Sequence, residues 1–117
     1  MICLGIDVSK DKHDCCILSQ DGELLSKPFS VPNSRQGFEK LFSVVSSFEN
    51  NPENVKAGLE ATGHYSFAIL GYLLEKGFAC FVFNPLHTNL YSELYCVLSD
   101  TFDISHVCIT NLDRNEV

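Results

Sequence analysis

Positive charge is scarce in this chain of 117 residues: 8 Lys and Arg stand against 15 Asp and Glu, a net charge of −7. A free-standing nucleic-acid binder neutralises phosphates with its own cations. This balance therefore leaves bound metal, or basic segments elsewhere, to supply positive charge for any such role. Long apolar runs are missing too. None approaches the roughly 20 residues that cross a bilayer, and no basic leader with a small-residue cleavage site precedes the first apolar run. The chain reads as cytoplasmic, without membrane contact. Repeats and low-complexity tracts are absent, and the length suits one compact domain. The six cysteines, Cys3, Cys15, Cys16, Cys80, Cys96 and Cys108, form no Cys-x-x-Cys pair and no zinc-ligand spacing. Most lie in apolar runs, where Cys packs as a small hydrophobe, so they read as reduced core thiols.

What is present is a series of short apolar runs separated by turn chemistry. Residues 2–8 and 13–19 read as two strands of a hairpin, with Asp11 and Lys12 between them. Asp21-Gly22 is a turn dipeptide, after which residues 23–31 are expected to return as a third strand with Pro28 at an edge or bulge. Asn33 or Ser34 can cap a helix running to about Phe48, with Phe38, Leu41, Phe42 and Val45 on one stripe, and Asn50-Asn51-Pro52 stops it. Residues 55–61 form the next strand. Thr62-Gly63 opens a second helix in which Phe67, Leu70, Leu73 and Leu74 share a core face up to Gly77, and residues 78–83 make a fifth strand. Lys12, His13, Asp11 and Asp14 are expected on the solvated face of the hairpin. Beyond Leu90 the pattern weakens. Strand and helix order gives an α/β domain whose later strands run parallel to the first.

Two acids stand out in this frame. Asp7 closes the run Ile2-Cys3-Leu4-Gly5-Ile6, and Glu60 follows Val55-Lys56-Ala57-Gly58-Leu59. Both are carboxylates where a strand is expected to be buried, and a buried charge is costly unless paired or metal-bound. Both also fall at strand carboxyl ends, outside which α/β sheets place their ligand crevices. If the first and fourth strands are neighbours, the acids share one rim and offer oxygen donors of the kind Mg2+ prefers. Two metal ions about 4 Å apart can activate the attacking oxygen and stabilise the leaving oxygen at a phosphodiester.

The strings Gly5-Ile6-Asp7-Val8-Ser9-Lys10, Gly58-Leu59-Glu60-Ala61-Thr62-Gly63-His64-Tyr65 and Phe83-Asn84-Pro85 together resemble the DEDD transposases of the insertion-sequence one-ten family, over residues 1 to about 90. The resemblance implies a ribonuclease-H-like (RuvC-like) domain over residues 1–90, with a mixed five-stranded sheet in the order 3-2-1-4-5 and flanking helices. It also implies DNA recombination with a guide RNA, in a homo-oligomer when the protein is full length. By it, Asp7 is the first acidic ligand and Glu60 the second, both holding Mg2+ (or Mn2+) near the scissile phosphate. The family's later Asp-x-x-Asp pair falls nearest Asp100 and Asp103, which lack the family's flanking Lys-Thr and Ala. Thr62, His64 and Asn84 are the candidate substrate contacts. Residues 91–117 depart from the pattern and read as a divergent or truncated tail, so the chain alone is expected to be incomplete and inactive.

Sugar kinases and actin-like ATPases also resemble the opening Gly-Ile-Asp and hairpin. Their phosphate loop, however, carries glycine and threonine after the Asp where this chain has Val8-Ser9-Lys10, and it gives Glu60 no part. A non-catalytic remnant of the same fold is the third reading, since architecture alone does not guarantee activity.

Overall fold

The structure is a computed structural model and describes residues 1–60 and 64–83. Period-two alternation builds its sheet. In β1 (Ile2–Val8), Ile2, Leu4, Ile6 and Val8 face one side and are buried there, and Cys15 and Ile17 of β2 (Lys12–Ser19) lie level with Ile6 and Leu4 on the same side. β1 and β2 are antiparallel, while β4 (Val55–Glu60) and then β5 (Ala79–Phe83) continue the sheet parallel to β1. With β3 (Phe29–Pro32) on the outer edge of β2, the strand order is β3-β2-β1-β4-β5, as expected.

The third strand is shorter than its sequence implies. Residues 23–28 make one isolated bridge, Leu18 with Leu24, and one bond from the Leu25 N–H to the Ile17 carbonyl. Pro28 has no N–H to extend that ladder. Pairing resumes only at Phe29, opposite Cys15. The turn at Asp21-Gly22 forms where expected, with Gly22 at φ 88°, a conformation glycine reaches without steric cost.

α1 (Arg35–Phe48) begins where the Ser34 hydroxyl accepts the Gly37 N–H at 3.2 Å. That bond satisfies one of the donors a helix start leaves open. Asn33 does not cap; its side-chain amide donates to the Lys10 carbonyl and ties the helix entry to the β1–β2 turn. A short 3-10 turn, Pro52–Asn54, leads into β4 with Asn51 accepting the Glu53 N–H.

α2 (Phe67–Glu75) starts later than the sequence implies, after a turn at residues 64–66. Its amino end has no side-chain cap. At its carboxyl end Gly77 takes φ 95°, the Phe78 N–H bonds the Leu73 carbonyl and the Gly77 N–H bonds the Leu74 carbonyl, which is a Schellman motif. Both helices pack on the same sheet face. Phe38, Leu41 and Val45 of α1 join Ile69, Leu70, Tyr72 and Leu73 of α2 in one core with Leu4, Ile6, Leu59 and Val82. Phe38 meets the Tyr72 ring at 5.6 Å, and Phe42 stacks on Phe78 at 5.9 Å. Phe67 departs from its expected core position: it is 57% exposed. No helix among the described residues is long and apolar enough to cross a membrane.

Candidate active site

Asp7 and Glu60 are Cα register partners across the parallel β1–β4 pair. Adjacent strands lie about 4.8 Å apart, and level residues on them project to the same face. That face is the one opposite the helices, because the chain neighbours Ile6, Val8 and Leu59 belong to the helix-side core. Level with Asp7 on the other side is Asp14 of β2, whose carboxylate accepts a hydrogen bond from the Ser30 hydroxyl. One row across the sheet therefore reads Ser30, Asp14, Asp7, Glu60, Phe83. The glycines Gly5 and Gly58 are also level partners, two residues before the acids on the same face. Backbone without side chains thus lies next to the carboxylates.

The expectation that both acids are buried is corrected. Asp7 is exposed and Glu60 half-buried, because each stands at the last residues of its strand, where the sheet opens to the rim. Exposed Asp7 carries little desolvation cost, whereas one carboxylate oxygen of Glu60 is buried; register is what brings the two acids together. Among the described residues, no group of three or more His, Cys, Asp or Glu side chains is placed to hold a metal ion. The two oxygen donors fit a hard divalent cation, which takes one or two protein carboxylates and keeps much of its water. The thiols do not fit. Cys3, Cys15, Cys16 and Cys80 are buried, as expected for core thiols; of these, Cys3, Cys15 and Cys80 have pKa values that burial above all pushes up to about 12. Those three thiols remain protonated at neutral pH, whereas the thiolate is the ligand form.

His64 lies in the turn before α2, exposed, with its ring 4.6 Å from that of Tyr65. Its carbonyl accepts the Phe67 N–H at 3.1 Å. Thr62, Asn84, Asp100 and Asp103 lie outside the described residues, as does the division at residue 90.

His13 is a further correction. Expected on a solvated face, it is fully buried on the helix side, level with Val8 and Val31 and stacked on Phe38 at 6.2 Å. Its Nδ1 accepts the Ser9 N–H at 3.3 Å, which fixes the turn two residues beyond Asp7. Burial pushes its pKa down, against the opposing pull of the Asn33 side chain and of Asp14, so the neutral ring is favoured. The signal was in the alternation: Lys12 and Asp14 face out, and His13 falls in phase with Cys15 and Ile17.

Comparison with known proteins gives the family and the fold. The family model of DEDD transposases of the IS110 type, described as a transposase, matches residues 4–100. Pilin gene-inverting proteins of Moraxella bovis and Moraxella lacunata are each 23% identical over 90 residues, which cover 77% of this chain and 27% of the relative. The chain thus spans about 27% of the length of these curated relatives. Among solved structures, Thermus thermophilus RuvC aligns with a TM-score of 0.50 at 16% identity, over 84% of this chain and 76% of that one. At that identity the likeness concerns the fold, which is RuvC-like. The actin-like and sugar-kinase alternative gives way to the family match, and this chain belongs to the DEDD transposases of the IS110 family, as a domain of RuvC-like fold.

Proposed function

We propose that this domain is the metal-dependent catalytic part of a DNA transposase or site-specific recombinase, with Asp7 and Glu60 holding Mg2+ or Mn2+ beside the phosphodiester to be cut and rejoined. The observation that carries the reading is the register pairing of the two acids at the carboxyl ends of adjacent parallel strands. A divalent ion held there supplies positive charge at a phosphate and lowers the pKa of bound water. Asp7 and Glu60 orient that ion from strands fixed by the core, while His13 holds the turn after Asp7 through the Ser9 N–H. Asp100 and Asp103 complete the acidic set in this reading, and Thr62, His64 and Asn84 contact the DNA. The name of the Moraxella relatives, pilin gene-inverting protein, fits a reaction that cuts and rejoins DNA segments.

Guide RNA and homo-oligomeric assembly in the cytoplasm belong to the same reading through the family. So does a lack of strand transfer by this chain in isolation: two carboxylates bind metal weakly, and a net charge of −7 repels a polyanion. Titration of the chain with Mn2+ in a calorimeter tests the metal site. Binding is expected in the native chain and lost in both Asp7→Asn and Glu60→Gln, with thermal unfolding unchanged. Equal binding by all three chains would overturn the assignment.

A further inference from the structure

Ser9, Lys10 and Asp11 join β1 to β2, and the turn they make is tied down from both sides. The Ser9 N–H donates to the buried His13 Nδ1, and the Ser9 hydroxyl donates to the Lys12 carbonyl. From the entry to α1, the Asn33 side-chain amide donates to the Lys10 carbonyl at 3.0 Å and the Asn33 N–H to the Asp11 carbonyl at 2.9 Å. The turn carries two cations. Lys10 and Lys12 are both exposed, and neither enters an ion pair among the described residues. Strand alternation puts Lys12 on the face of Asp14, about 7 Å along β2, and Asp14 is level with Asp7. The sheet's other lysine, Lys56, stands at the far end of β4 from Glu60.

We infer that Lys10 and Lys12 are the contacts that seat a DNA duplex on the acidic rim, by binding backbone phosphates next to the one held at Asp7 and Glu60. The inference rests on the metal-dependent reading above and names what holds the substrate beside the ion. A chain of net charge −7 can meet a polyanion only where the local sign differs from the overall one. At this end of the sheet Asp7, Asp11, Asp14 and Glu60 outnumber the two ammonium groups, and a bound divalent ion brings the region to balance. Lysine suits the task, because a compact charge on a flexible stem reaches phosphate without reading a base. The four hydrogen bonds order the turn before DNA arrives, so its backbone loses little further freedom on binding.

Fluorescence anisotropy of a short labelled DNA duplex, titrated with the full chain at fixed Mn2+ and a series of KCl concentrations, measures the contact. The native chain is expected to bind, with the logarithm of affinity falling linearly against the logarithm of salt. Lys10→Gln and Lys12→Gln are each expected to lower that slope by about 0.9, equally for any duplex sequence. Lys27→Gln and Lys40→Gln remove exposed cations away from the rim and are expected to leave the slope as it is. Thermal unfolding is expected to be unchanged in all four. Equal slope losses at Lys27 or Lys40 overturn the inference, because net charge alone would then be at work. So does a native chain that takes up Mn2+ but no duplex, or a slope change confined to single-stranded RNA. Mn2+ calorimetry on the same samples separates the two failures: the lysine variants are expected to bind the ion as the native chain does, and a native chain that binds none overturns the metal reading itself.

Discussion

The helices α1 and α2 rest on the same sheet face and obey different rules outside it. α1 presents Arg35, Gln36, Glu39, Lys40, Ser43 and Ser47 to solvent over a buried stripe of Phe38, Leu41 and Val45, with exposed Phe48 only at its last position. α2 has a comparable inner stripe and an apolar outer one. The ends differ as well: α1 is fixed at its start by the Ser34 hydroxyl, and α2 at its finish by Gly77. An inner stripe is what the fold demands of a helix. The composition of the outer face is then not set by that demand, and on α2 it includes Phe67, Ala68 and Gly71, which lie outside the core formed by the described residues.

The comparison can be broken at its strongest point by cutting into both inner stripes. Leu41→Ala in α1 and Leu73→Ala in α2 both remove fully buried side chains, and each is expected to cost about 2–5 kcal/mol in denaturant unfolding. If only one does, the two inner faces are not equivalent. The glycines sharpen the contrast. A Cβ on Gly37 of α1 would stand 2.0 Å from the Pro32 carbonyl oxygen, so Gly37→Ala is expected to destabilise by about 1–3 kcal/mol. With open space above it, Gly71→Ala is expected to raise stability by about 0.5–1 kcal/mol through helix propensity alone. Matching effects at the two positions would refute the difference in environment.

A smaller effect separates the amino ends. Ser34→Ala removes a side-chain cap and is expected to cost about 1 kcal/mol, whereas Ser66→Ala removes no cap bond and should cost less in the same thermal scan. The last effect is silent at neutral pH. His13 packs under α1 with a pKa below its ordinary 6.5, so the unfolded chain binds the extra proton first. Stability from this residue is whole above pH 6.5 and declines as the pH falls below it. His13→Leu is expected to flatten that part of the acid limb; an unaltered profile would show that His13 does not titrate on unfolding.

Much of this arrangement is legible in the chain. The apolar runs around Leu4, Ile17, Ala57 and Cys80 became strands because each alternates or is bounded by turn residues, and Ser34 and Gly77 marked helix ends by chemistry that acts locally. The third strand was overestimated because Leu24 and Leu25 look like strand residues, yet Pro28 interrupts the ladder and leaves them 49% and 39% exposed. Phe67 was read as core because spacing cannot tell which neighbour a helix face meets. Tertiary context decides that. Polar residues on either side hid His13 for the converse reason. Of the site, the pairing of Asp7 with Glu60 followed from strand order, while their exposure did not, since the depth of a rim depends on where neighbouring strands stop.

The parallel pairing of β1 with β4 has a consequence for how the site comes into being. The two acids stand far apart in the chain; the docking of one strand against the other sets them level, Asp7 to Glu60 and Gly5 to Gly58. Displacing β4 by a single position would carry Glu60 to the helix side and take Leu59 out of the helix-side core. The hydrophobic penalty of that slip guards the pairing of the two carboxylates, and in the proposed metal-binding reading cation affinity would report whether the crossover has closed in frame.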